Sequence, residues 1–233
     1  VSSAVIASAP APGSSGAPGS RDRQALSHEA TCGTRVVGPP QVQTRPIKGT
    51  RPRGATEQED SANRQELLES EKDRAELLMI VDLMRNDLGR VCKTGSVKVT
   101  EMYHIEDYST VFQLVSTVEG ELEEGLHALD CIKAAFPGGS ITGAPKIRAM
   151  EVIDEIEPTQ RNVYTGSIGY VGFNGDADLN IVIRTILQKG DTAYFQVGGG
   201  IVWDSDAEME YEETLVKAKA LIEALQAELP EGE

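Results

Sequence analysis

The chain has 233 residues, 39% apolar, 5% aromatic and 25% charged, a composition that suits a globular protein with one real core and excludes a fibre. Its 22 basic and 37 acidic residues leave a net charge of −15, which argues against sequence-independent nucleic-acid binding and leaves small molecules or proteins as partners. No apolar stretch approaches bilayer-crossing length and no leader pattern opens the chain, so no membrane association is expected and the compartment expected is the cytoplasm.

Charge is unevenly spread: residues 1–54 hold seven Lys/Arg against two Asp/Glu, so the remainder is more acidic still. A site for an anionic ligand there needs local positive charge or a bound cation. Cys32, Cys92 and Cys131 show no CxxC spacing and the chain has three histidines, so any metal is expected to be a hard cation on oxygen.

Seventeen of the first twenty residues are Ala, Ser, Gly or Pro, too few large apolar groups to offset ordering entropy, so residues 1–40 are expected to be disordered or irregular. The start at Val1 rather than Met suggests an incomplete or altered N-terminal portion. Val42 and Thr44 alternate with polar neighbours as a strand that Pro46 and Gly49 should break. From Glu57 to Leu88 the pattern predicts one long helix stopped by Gly89. Strands are predicted at Ser96–Val99, Tyr103–Ile105 and Tyr108–Val118, then a helix over Gly125–Phe136.

The loop PGGSITG precedes a helix over Lys146–Ile156, with Pro145 fitting its first turn. Strands follow at Asn162–Phe173, Leu179–Gln188 and Thr192–Val197, the last running on towards Val202, with hairpin turns at NGD and KGD. A final helix covers Ala207–Ala227. Antiparallel hairpins beside separate helices predict an α+β fold of antiparallel sheets packed with helices.

Several residues invite a chemical reading. Asp73 with Glu76, and Glu210 with Glu213, are three apart on helices, so each pair faces one direction and could hold Mg²⁺; the same spacing suits ordinary pairs of Glu76 with Lys72 and Glu213 with Lys217. PGGSITGAPK joins glycines, hydroxyls and a helix start that could bind an anion, or is a plain loop capped by Thr142 or Gly143. Gly198, Gly199 and Gly200 allow a ligand near the backbone, or form a bulge. Tyr164 and Arg184, in adjacent predicted strands, could clamp a carboxylate. Lys48 sits between Pro46 and Gly49, where burial could make its amine nucleophilic.

Together TRPIKGTRPRG (44–54), KDRAELLMIVDLMRNDLGRV (72–91), FPGGSITGAPKIRAMEVIDEIEP (136–158), YTGSIGYVG (164–172), LNIVIRT (179–185) and VGGGIVWDSDAEMEYEETLVKA (197–218) strongly resemble the chorismate-utilising enzymes. The likeness covers about 41–228, the C-terminal portion of that family's chain, and leaves 229–233 as a tail. The lysine of PIKGT resembles the aminodeoxychorismate synthase component I form, anthranilate synthase component I usually having PIAGT.

The resemblance implies Lys48 as nucleophile on the chorismate ring and Glu76 and Glu213 as principal Mg²⁺ ligands, supported by Asp73, where Glu is common, and Glu210. It implies that Tyr164, Arg184 and Gly198–Gly200 hold a substrate carboxylate, and that Ser140, Thr142, Gly143 and Lys146 line the other side. Ammonia would come from a glutamine amidotransferase subunit or domain. Gln113 stands where many relatives have His, and no role falls to Glu29, the nearest counterpart of an upstream glutamate. The implied activity is aminodeoxychorismate synthesis for 4-aminobenzoate and folate. The alternatives are anthranilate synthesis for tryptophan, or a non-catalytic chorismate-binding remnant.

Overall fold

The computed structural model describes residues 7–10, 33–36, 41–203 and 205–225. Its strands are β1 (Ala7–Pro10), β2 (Gly33–Val36), β3 (Gln41–Thr44), β4 (Ile47–Pro52), β5 (Lys98–Asp107), β6 (Val111–Glu121), β7 (Ser167–Val171), β8 (Ala177–Ile181), β9 (Ile186–Lys189) and β10 (Thr192–Phe195). Its helices are α1 (Glu57–Glu69), α2 (Glu71–Gly89), α3 (Ala128–Ala135), α4 (Lys146–Ile156) and α5 (Ala207–Leu225). Every strand pairing is antiparallel, which with the separate helices gives the expected α+β class. No helix among the described residues is long and apolar enough to cross a membrane. The described residues form two compact units, one within 24–146 and 167–181, the other within 1–23, 147–166 and 182–233.

The larger unit is built on a seven-stranded sheet ordered β4-β6-β3-β2-β8-β7, with β5 also on β6. β3 and β4 line successive parts of the same strand, Thr44 opposite Val118 and Ile47 opposite Val115. Pro46 therefore separates two strands rather than ending one. It needs no ladder donor there, and its carbonyl accepts from the Ser116 amide at 3.1 Å. The register shifts between Ile47 and Thr50, so Lys48 and Gly49 sit in a bulge, Gly49 taking φ +82°.

The core of this unit gathers Phe112, Leu114 and Val118 of β6 with Leu67 of α1 and Leu77, Val81 and Leu88 of α2. Each such side chain contributes about 1.5–3 kcal/mol by leaving water. The single helix expected over Glu57–Leu88 is two helices, broken at Ser70, whose φ −61° and ψ 105° leave the helical region. Ser70 closes α1 and caps α2, its Oγ accepting from the Asp73 amide at 3.2 Å; serine offers the backbone a local partner that competes with helix continuation. Gly89 stays helical and the Arg90 amide bonds back to Asp87 and Leu88.

Two predicted strands at 96–105 are one, β5, with two register shifts and Tyr103 at φ 56°. α3 starts at Ala128 because Gly125, at φ +83°, lies in the preceding turn. The NGD turn joins β7 to β8 as expected, with Gly175 at φ +90°. β7 begins only at Ser167, the left-handed Asn162 and Thr165 interrupting the predicted strand before it.

The smaller unit holds a three-stranded sheet, β1-β10-β9, and a core of Phe195, Val197, Ala218 and Leu221. The KGD turn joins β9 to β10 with Gly190 at φ +62°. The predicted strand over Leu179–Gln188 stops at Ile181 and resumes at Ile186, Arg184 between them standing at φ +49°. β10 ends at Phe195 instead of running on. Within the N-terminal stretch expected to lack order, Ala7–Pro10 pair with β10 and Gly33–Val36 with β3 and β8; the rest of residues 1–40, like the tail at 229–233, lies outside the described residues.

Candidate functional site

In the larger unit the bulged strand β4 meets the first turns of α2. Lys48 Nζ lies 3.3 Å from Glu76 Oε2, their side chains 23% and 19% exposed. Glu76 of α2 thus pairs with a lysine of strand β4 rather than with Lys72 of its own helix. Three residues on, Arg51 binds Asp73 Oδ2 at 3.1 Å and Glu66 of α1 at 3.0 Å. Gly49 makes the approach feasible, since a Cβ there would lie 2.8 Å from both Asp73 Cγ and Leu67 Cδ1. An amine, a guanidinium and two carboxylates therefore alternate along one seam, and Arg51 is a member that spacing did not reveal.

Gln113 of β6, opposite Thr50 of β4 and Glu106 of β5, is 8% exposed, and its Oε1 is buried without a hydrogen-bond partner among the described residues. A carboxamide there is an acceptor with unmet capacity, not a proton carrier. Glu106 is occupied, accepting from Arg45 and from the Tyr108 hydroxyl.

Between α3 and α4, residues 139–141 form one 3₁₀ turn. Thr142 Oγ1 donates to the Gly138 carbonyl at 2.9 Å, so its hydroxyl is used within the loop. Lys146, expected to face substrate, directs its amine to Asp87 Oδ2 at 2.6 Å and the Ala135 carbonyl at 2.8 Å. Burial pushes the Asp87 carboxyl above its ordinary range, opposed by the Lys146 ammonium. Ser140 lines a cavity of about 60 Å³ with Thr44, Met84, Phe136, Gly138 and Leu179.

In the smaller unit Tyr164 is partly buried and desolvation raises its phenol, with Arg161 working against that shift. Arg161 is held by Glu157 through two nitrogens, at 2.8 and 2.7 Å, a buried ion pair on the α4 side that the sequence reading passed over. Tyr164 and Arg184 do not stand in adjacent strands as predicted: both lie outside the strands, and Arg184 is exposed. The left-handed residues Thr165 and Arg184 end the ladder there.

At the end of β10 the glycine run faces α5. Lys217 donates to the Gly198 carbonyl at 3.1 Å and pairs with Glu213 at 2.5 Å, so the ordinary i,i+4 pair is realised. Glu210 accepts from Ser205 at 2.6 Å through Oε1, while its Oε2 is buried without a partner among the described residues. A Cβ on Gly199 would lie 3.1 Å from that oxygen and 4.0 Å from Glu213 Oε1, so glycine brings the backbone up to both carboxylates. An unpartnered carboxylate oxygen beside a second carboxylate is a donor set that fits a hard cation. Within neither unit do three or more His, Cys, Asp or Glu of the described residues stand ready to hold a metal; each unit offers a pair.

Residues 36–223 match the family described as chorismate binding enzyme. The chain is 56% identical over 185 residues to "Aminodeoxychorismate synthase component 1" of Bacillus subtilis (strain 168), covering 79% of this chain and 39% of that protein. It is 54% identical over 185 residues to "Anthranilate synthase component 1" of Aquifex aeolicus (strain VF5), covering 79% and 37%. The crystal structure of anthranilate synthase component I from Streptococcus pneumoniae superposes with TM-score 0.72 and 46% identity over 81% of this chain and 41% of that one. The chain thus spans about two fifths of the length of these relatives.

Proposed function

Because the chain belongs to the chorismate binding enzyme family, we propose that it performs the amination of aminodeoxychorismate synthase component I, converting chorismate and ammonia to 4-amino-4-deoxychorismate for 4-aminobenzoate and folate synthesis. The observation that carries this reading is the Lys48 amine, set in a strand bulge 3.3 Å from Glu76. In the proposed reaction that amine attacks ring C2 as the C4 hydroxyl departs; ammonia then adds at C4 as the bond from Lys48 to C2 breaks. The lysine is restored and one water is released.

The remaining residues bind and orient. Tyr164, Arg184 and the Gly198–Gly200 backbone are proposed to hold one substrate carboxylate, and Ser140, Thr142 and Gly143 are proposed as further substrate-lining residues. Glu76 and Glu213 are the proposed principal ligands of Mg²⁺, with Asp73 and Glu210 in support; the unpartnered Glu210 oxygen favours this. When bound, Mg²⁺ supplies positive charge that offsets a substrate carboxylate against this acidic chain. The ammonia is proposed to come from a glutamine amidotransferase partner, and the compartment to be the cytoplasm. Anthranilate synthesis is the second reading, favoured by the 54% identity to a relative of that name.

Incubation with chorismate, Mg²⁺ and ammonium separates the two. Formation of a product that yields 4-aminobenzoate only after a lyase is added is expected, and direct release of anthranilate would overturn the first reading. In single turnover, Lys48→Ala is expected to abolish both product and the lysine-bound adduct seen by mass spectrometry; unchanged turnover would remove Lys48 from the mechanism.

A further inference from the structure

We propose that Lys146 and Asp87 form a clamp that fixes the loop 138–145 on α2, which makes Lys146 a positioning residue rather than a substrate ligand. Two of the three ammonium donors of Lys146 are taken by Asp87 and the Ala135 carbonyl. The pair is deeply placed, its side chains 13% and 4% exposed, so neither charge keeps its hydration and each depends on the other. The other end of the loop meets the same helix: a Cβ on Gly139 would lie 2.5 Å from Leu83 Cδ2 and 2.7 Å from Met84 Cε, so the backbone lies flush on that turn.

Leu83 and Asp87 are one turn apart, and Glu76 precedes Leu83 by two turns, so all three share one stripe of α2. The helix that presents Glu76 to Lys48 therefore also sets the height and direction of Ser140, Thr142 and Gly143. Thr142 bonds only inward among its described contacts, to the Gly138 and Gly139 carbonyls, which shapes the loop without tying it to the helix. The tie is left to Gly139 and Lys146.

The consequence for substrate rests on the function proposed above; the consequence for the loop does not. Hydrogen exchange read by mass spectrometry on the full chain, with chorismate affinity and the saturated single-turnover rate, tests both. Lys146→Met and Asp87→Asn are each expected to speed exchange at 138–145 and to weaken chorismate binding about tenfold with the saturated rate retained, and the double variant to be no worse than either single one. The double variant also removes the unpaired buried charge, so it keeps the test open if a single variant fails to fold. If Asp87→Asn leaves the loop protected and binding intact while Lys146→Met alone loses affinity, Lys146 is a ligand and the clamp is wrong. If the unaltered chain binds no chorismate, the functional reading fails, and the exchange pattern alone decides the clamp.

Discussion

Arg53 donates to Asp60 through two nitrogens, at 2.7 and 2.6 Å, and the Gly54 amide adds a third bond at 2.8 Å. Together they hold the Asp60 carboxyl at about 2, against an ordinary 3.8. A depressed carboxyl lends stability that is complete above its unfolded value and is lost as pH falls through the folded one. Asp60→Asn is therefore expected to flatten the fall in stability between about pH 4 and pH 2, as read by urea unfolding at several pH values; an unchanged slope would mean that other carboxylates govern acid unfolding. Residue types that carry charge were readable from sequence, as Lys48, Asp73 and Glu76 show, but their partners were not. Spacing along a helix offers Lys72 to Glu76, whereas the fold delivers Lys48 from a strand. Lys146 shows the converse: a family motif marks it for substrate, and a buried carboxylate on another helix takes it.

At the scale of elements, periodicity located α3, α4, α5 and both hairpin turns, because those depend on neighbours in sequence. It failed where one residue departs from its surroundings: Ser70 divides a continuous helical pattern, and left-handed Arg184 divides a continuous strand pattern. Propensity summed over a window carries no record of such single dihedrals. The bulge at Lys48 and Gly49 belongs to this class, and it can be tested. A side chain at Gly49 is disfavoured by φ +82° and by the 2.8 Å approach to Asp73 and Leu67. Gly49→Ala is expected to cost about 1–3 kcal/mol in urea unfolding and, by moving the bulge, to lower single-turnover product formation more than it lowers chorismate binding. Equal stability and rate would show that the seam between β4 and α2 tolerates displacement.

At the scale of the molecule, the family was readable because its blocks survive in order across 36–223, while the product was not, since relatives of near-equal identity carry two different names. A net charge of −15 opposes the proposed dicarboxylate ligand unless the proposed cation offsets it locally, so chorismate binding is expected to strengthen when Mg²⁺ is added. Any ligand that prefers the folded chain stabilises it by a calculable amount, about 2.7 kcal/mol at one hundred times its Kd, or roughly 5–10 °C for a chain of this size. Thermal unfolding of the full chain is expected to show such a rise with chorismate and Mg²⁺ together and a smaller one with either alone. A cooperative transition that none of these ligands moves would count against chorismate binding itself, and so against both aminating readings and the chorismate-binding remnant together, because any ligand held by the folded chain must raise its stability.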